Sequence, residues 1–457
     1  MVLQLRKQTH FTVDETWEPV WGEVKTIRNN YKELSITLSQ RATERIMVIR
    51  FRLFNDGVGF RYEFPKQANL QHFIVKGEFT EFAMAGDHKT FWMPGDYDTN
   101  EYTYSTTKLS EVNPAVQGND ASEISTRSVI INGVQTPLMM KSADGLYINV
   151  HEAALVNYPA MNLVVDKGSL SLSSHLFPDA NGNKAYLQTP SHTPWRTIIV
   201  SDKAADILNS KTILNLNEPS VIENTDWIKP TKYIGIWWEM HVGTGWWNYS
   251  DEANLILNNT DWRKLKPNGR HAANTMNTKR YIDFASAHGF DGVLVEGWNI
   301  GWEDWFGQWK EEVFDFVTPY PDFDVKELQG YAASKNVKLI MHHETSSSVT
   351  NYERRLDEAY QFMKDHGYDA VKTGYVGRII PRGEFHDGQW MVNHYIRVAA
   401  KTADYKITLD SHEPVRPTGL HRTYPNWLAC EAARGNEFNA WSSGNPPEHE
   451  RFYPLPG

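Results

Sequence analysis

Up to residue 215 the chain alternates apolar and polar positions in short runs that turn formers interrupt. Residues 46–54 lead into Asn55-Asp56-Gly57, and Gly59-Phe60-Arg61-Tyr62-Glu63-Phe64-Pro65 follows. A period of two on both sides of an Asp-Gly step predicts a β-hairpin. Runs of the same kind recur at 128–131, 146–150, 162–165 and 196–200, none with a helical period of comparable strength. Residues 1–215 therefore read as an antiparallel β-sandwich. Residues 216–231, with Asn217, Pro219, Asn224 and Pro230 but no clear periodicity, read as a linker.

From 232 to 457 the pattern changes. Strand-like apolar runs at 233–238, 292–296, 337–342, 370–374, 406–410 and 437–441 alternate with helical patterns at 277–288, 324–335, 352–366 and 390–402. Alternation of this kind is the signature of a parallel sheet wrapped by helices, and a (β/α)8 or TIM barrel is its natural closure. Six strands are found where eight are needed. The expected architecture is all-β followed by α/β, with the barrel incomplete at its C-terminus.

Composition narrows the function. The formal charge of -10 over 457 residues, without a basic run, argues against a nucleic-acid partner. The lone Cys430 permits no intrachain disulfide. No stretch approaches the roughly 18 consecutive apolar residues of a membrane span, and Met1-Val2-Leu3-Gln4-Leu5-Arg6-Lys7 lacks the apolar core of a signal peptide. A soluble chain without membrane insertion is expected, its compartment unread. The 17 Trp, several paired as in Trp237-Trp238 and Trp246-Trp247, read one by one as core fillers first and as a sugar-stacking floor second.

In a β/α barrel the chemistry collects at the carboxyl ends of the strands. Those ends carry Trp238-Glu239, Glu296-Gly297-Trp298, His342-His343-Glu344, Lys372-Thr373-Gly374 and His412-Glu413, with Glu431 in an apparent short helix and Glu437 at the sixth strand. Glu344 and Glu413, two strands apart, would face a common centre and could activate a water between them. Clustered carboxylates repel unless a proton or a cation is shared, and an all-oxygen set favours calcium over zinc. Positioned acid and base carboxylates beside aromatic rings point to glycoside hydrolysis. Two other readings stay open: a calcium-dependent carbohydrate-binding fragment without catalysis, and an amidohydrolase-like barrel holding a transition metal through His342, His343, Lys372 and His412. The latter lacks a His-x-His pair on the first strand. No Gly-x-Ser-x-Gly elbow or phosphate loop is present.

Four long motifs carry a resemblance. Gly235-Ile236-Trp237-Trp238-Glu239-Met240-His241, residues 290–299, His342-His343-Glu344-Thr345, and Ser411-His412-Glu413-Pro414 through Arg422-Thr423-Tyr424-Pro425-Asn426-Trp427 resemble glycoside hydrolase family 97. The resemblance runs over nearly the whole chain. It implies a β-super-sandwich ahead of the barrel, bound calcium, and either an inverting α-glucosidase or a retaining α-galactosidase. Carried over, it makes Glu437 the general acid and Glu344 with Glu413 the base carboxylates. Calcium would be held by Glu101, Glu413, Glu431 and Glu437. Asn119, His342, Lys372 and His412 match sugar-contacting positions, with Trp237 or Trp238 and Glu296 lining the same pocket.

Retaining members place a nucleophilic Asp where this chain has Gly374, so the resemblance implies inversion and an oligosaccharide substrate of the α-gluco type. Inverting carboxyl pairs stand roughly 6.5 to 9.5 Å apart to admit water. Members are typically periplasmic, begin with a signal peptide, and continue past the point matching Gly457 through two further barrel strands and a small β domain. The expectation is a chain shortened at both ends, either a truncated gene product or a fragment whose missing barrel segment lies on another chain.

Overall fold

The computed structural model describes residues 3–116, 129–305, 309–442, 444–447 and 449. Its first half is built from antiparallel sheets. The larger has ten strands, running in the order Leu3–Trp17, Ile27–Gln40, Ile46–Leu53, Gly57–Phe64, Trp195–Ser201, Tyr147–Ala153, Leu138–Lys141, Lys89–Trp92 and Ser105–Lys108, with Ser191–His192 paired to Gly57–Phe64 off that path. The hairpin expected around Asn55-Asp56-Gly57 is present, with Leu53 opposite Val58 and Phe54 N donating to Gly57 O. A five-stranded sheet, Glu81–Ala83, Ser171–Leu176, Met161–Asp166, Val129–Val134 and Pro94–Asp96, packs with it to form the sandwich. Alternation puts Leu163 and Val165 inward along one strand while Asp166 ends it exposed.

The second half is a six-stranded parallel sheet in sequence order: Tyr233–Gly235, Gly292–Leu294, Lys338–Glu344, Ala370–Gly374, Thr408–His412 and Trp427–Glu431. Helices Thr275–His288, Val325–Ser334, Val349–Asp365 and Gln389–Asp404 supply crossovers, as parallel strands require. Two of these helices start on caps that the sequence provides: Asn274 accepts from Asn277 N and Asp324 from Glu327 N. The sheet is curled, since the Tyr233 hydroxyl on the first strand reaches Asp410 on the fifth at 2.5 Å. Its two edges, the first and sixth strands, are not paired with each other among the described residues. No helix of the described residues is long and apolar enough to cross a membrane.

Two expectations about local structure are corrected. Trp427–Glu431 is the sixth strand, paired in parallel with Thr408–His412, although its Leu-Ala-Cys-Glu run suggests a helix. Conversely, 437–441 is no strand: Glu437 caps a short helix, Phe438–Trp441. Backbone pairing decides the first case, because the ladder with Thr408–His412 satisfies backbone groups that a lone helical turn would leave open. On the first strand, Gly235 ends the ladder and Trp237–His241 turn into a short helix.

A single apolar cluster joins the halves, with Leu138, Val150 and Leu163 of the sandwich and Val293, Leu339 and Leu409 of the parallel sheet in one core. Each such fully buried side chain contributes about 1.5–3 kcal/mol by leaving water.

Candidate active site

The carboxyl ends of the parallel strands open into a cleft of about 870 Å³. Glu344 closes the third strand and is buried, its Oε1 accepting from Ser346 N at 2.7 Å and Val376 N at 3.4 Å. Glu413 follows the fifth strand at a positive φ of 54°, a conformation that turns its side chain back over the fourth strand, and its Oε2 accepts from Tyr375 N at 2.8 Å. Both therefore flank the Gly374-Tyr375 step of that strand.

Space over Gly374 is already taken: a Cβ built there would collide with Glu344 Oε2. Burial, reinforced by the Glu413 carboxylate, pushes Glu344 above the usual carboxylate range. Burial also raises Glu413, opposed by His412 and supported by Glu431. Glu437 is raised by burial and then by Glu431 and Glu413.

Beside this acidic group stands a compensating set of charges. Lys372 Nζ lies 2.5 Å from Glu296 Oε1, with Glu296 buried and Lys372 largely so. Although burial pushes the Glu296 carboxyl up, the Lys372 ammonium and His342 hold it at about 2. His412 sits between two carboxylates, with Nδ1 2.7 Å from Glu431 and Nε2 3.6 Å from Asp410. Against the cost of burial, Glu431 and Asp410 keep its imidazole charged. His342 is the opposite case, since burial drives its pKa down to about 3 and keeps it neutral.

Aromatic rings form another wall. Trp237, Trp247, Trp302 and Trp305 all line the cleft, Trp247 stacking on Trp302 at 6.0 Å and Trp302 on His342 at 5.7 Å. Trp302 Nε1 and both His342 ring nitrogens have no protein partner among the described residues. Buried donors and acceptors of that kind call for polar ligand atoms.

The sandwich closes the remaining side. Asp96 Oδ1 accepts from the backbone of Asp98 at 2.7 Å and Thr99 at 3.1 Å, forming a turn that presents Asp98, Thr99, Asn100 and Glu101 to the cleft. Glu101, Glu431 and Glu437 each place an oxygen within 4.8 Å of the others, and His412, Glu413 and Glu431 form a second such group. The two share Glu431. Carboxylates converging this closely, two of them with raised pKa values, fit a hard divalent cation whose charge would offset their repulsion.

Measured against the sequence reading, the cleft gathers Glu344, Glu413, Glu437, Glu101, Glu431, Trp237, Glu296, His342, Lys372 and His412. Trp238 is a correction: it is 55% exposed and does not line the cleft, because the short helix at 237–241 turns it outward. Asn119 lies outside the described residues. His343 faces away into the core, its Nδ1 2.9 Å from the Tyr352 hydroxyl. Neither His342 nor His343 belongs to a group of converging His, Cys, Asp or Glu ligand atoms found among the described residues, which leaves the transition-metal arrangement without support. Sequence reasoning missed Asp98, Asn100, Trp247, Trp302, Trp305 and His386. Only the density of Trp hinted at any of them.

Residues 2–219 match the model of the glycosyl-hydrolase 97 N-terminal domain and residues 237–433 that of glycoside hydrolase 97. A curated retaining α-galactosidase of Bacteroides thetaiotaomicron is 28% identical, over 94% of this chain and 60% of its own length. A glycoside hydrolase family 97 enzyme from Pseudoalteromonas sp. strain K8, solved in complex with acarbose, superposes with a TM-score of 0.86 at 38% identity, over 100% of this chain and 66% of the other. A variant of that enzyme in complex with panose gives the same values. The chain thus spans about three fifths to two thirds of the length of these relatives.

Proposed function

The chain belongs to glycoside hydrolase family 97, and from that premise we propose that its cleft hydrolyses terminal α-glucosidic bonds of α-gluco-oligosaccharides with inversion of the anomeric centre. The observation that carries inversion is the Gly374–Glu344 contact. Gly374 stands where retaining members of the family have their nucleophilic Asp, and the volume such a side chain would need holds the Glu344 carboxylate. Without a nucleophile on that strand, attack falls to water, and Glu344 with Glu413 borders the place it would occupy.

Glu437 is the general acid in this reading. Its burial beside Glu431 and Glu413 retains a proton near neutral pH, which suits a group that must protonate a departing glycosidic oxygen. Glu344 and Glu413 oppose one another, so one of them loses its proton more readily and accepts one from water. Glu296 and Lys372, as a fixed ion pair, and the open ring nitrogens of His342 would bind sugar hydroxyls, with His412 alongside. Trp237 and Trp302 would stack on apolar ring faces. Glu101, Glu413, Glu431 and Glu437 would hold calcium, Glu437 through the carboxyl oxygen that does not carry its proton, and the ion would supply positive charge that offsets the repulsion among the ionised members. The curled sheet would be part of a (β/α)8 barrel.

The relative solved with acarbose and panose supports the gluco reading, panose being built of α-linked glucose. The curated retaining α-galactosidase names the rival, to which Gly374 is opposed. Glu437→Gln tests the assignment on maltose, whose departing glucose must be protonated. A loss of kcat of about 100-fold or more is expected from removal of a general acid, and near-normal turnover would refute the role.

A further inference from the structure

Glu101 reaches the acidic cluster from the sandwich, whereas Glu413, Glu431 and Glu437 come from the parallel-sheet half. The cluster therefore exists only while two separate parts of the chain hold register. Five residues after the fifth strand, Pro414–Thr418, lie along the seam. Pro414 O accepts from Asn100 Nδ2 at 3.4 Å, and Pro417 O is 3.0 Å from His151 Nε2. Thr418 O accepts from Ala154 N at 3.0 Å, and its hydroxyl from Leu155 N at 3.2 Å.

Arg416 is the centre of this strap and is buried. One guanidinium nitrogen, Nη2, donates to Asn100 Oδ1 at 3.0 Å and to Asp387 Oδ2 at 2.9 Å, while Nη1 donates to Met161 O at 3.2 Å. It thus ties the residue next to Glu101 to the start of the helix Gln389–Asp404 and to the sandwich strand Met161–Asp166. His386 adds a parallel tie, with Nδ1 3.3 Å from Asp98 Oδ1 and Nε2 2.9 Å from Tyr375 O, the residue whose N–H holds Glu413. The planar fork is the feature a lysine cannot reproduce.

We propose that Arg416 and Asn100 are positioning residues that fix Glu101 against Glu431 and Glu437, so that cation affinity at this cluster depends on docking of the sandwich along the strap. The inference rests on the calcium reading above. Neither residue need touch the ion, and the effect belongs to the outer partners of ligands, whose loss typically weakens metal binding by about 10- to 100-fold.

The test is calorimetric titration of the intact chain with calcium alone, for the parent and for Arg416→Lys, Asn100→Ala and Thr418→Val, with folding checked by circular dichroism. Arg416→Lys and Asn100→Ala are expected to bind calcium about 10-fold or more weakly. Thr418→Val loosens the same strap away from Glu101 and should bind within about twofold of the parent, which a merely structural role of the strap would not give. Wild-type affinity in folded Asn100→Ala and Arg416→Lys would overturn the positioning role. Should Arg416→Lys not fold, Asn100→Ala decides the outcome alone. A parent chain that takes up no calcium would overturn the cation reading itself and the inference with it.

Discussion

Glu344 and Gly374 face each other across adjacent parallel strands, and the Glu344 carboxylate lies in the space a side chain at 374 would need. Glu344 is pinned there by two backbone N–H groups, so it has little freedom to yield. Gly374→Ala is expected to cost about 1–3 kcal/mol of unfolding free energy, as overpacking does, read from denaturant titration. It should also lower kcat by about 100-fold through misplacement of the base, with a much smaller change in KM. A Gly374→Ala variant with parental stability and turnover would show that Glu344 is not confined by this glycine.

The Lys372–Glu296 pair is largely buried, and removing one partner strands the other. Lys372→Met is expected to cost about 3–5 kcal/mol at neutral pH. Glu296, now alone, would have a folded pKa above its unfolded value. Its cost then grows as pH rises and shrinks as pH falls, so Lys372→Met should lie closer to the parent at pH 5 than at pH 8. Thermal midpoints at the two pH values check this. By contrast Arg270→Met, which breaks the exposed pair with Asp251, should change stability by less than about 1 kcal/mol.

Acid should weaken the fold through its neutral buried histidines. Burial takes His343 down to about 3, and His151 likewise. Between about pH 6.5 and 3 the unfolded chain binds protons at these rings that the folded chain does not, so stability falls as pH falls through that window. Each ring contributes a slope of about 1.4 kcal/mol per pH unit there. Replacing His343 by Phe removes one such ring and should flatten the dependence of unfolding free energy on pH by that amount. An unchanged slope would mean that His343 titrates normally in the folded chain.

What the sequence disclosed follows the range of the physics involved. The hairpin at Asn55-Asp56-Gly57 was legible because turn and flanking period are local. Glu344, Lys372 and His412 could be placed at strand ends because each lies on or beside its own apolar run. Leu428-Ala429-Cys430 misled, since neutral propensities give way to pairing with a strand that only the tertiary fold brings near. Glu437 is a helix start after Gly435-Asn436, a turn the aromatic alternation of 437–441 concealed. Asp98, Asn100 and Arg416 were invisible for the strongest reason: Asn100 and Arg416 are 316 residues apart, and nothing local records their contact. Glu101 itself entered only through the family resemblance, which carried a long-range fact that no periodicity contains.

The central claim is that water attacks directly in a site whose fourth strand offers no nucleophile. A proton NMR time course of p-nitrophenyl α-glucoside hydrolysis by this chain in calcium reads the first anomer released before mutarotation mixes the two. The account predicts β-glucose first, decaying to the equilibrium mixture. Release of α-glucose first would contradict it, because it would demand a covalent intermediate on a residue other than Gly374.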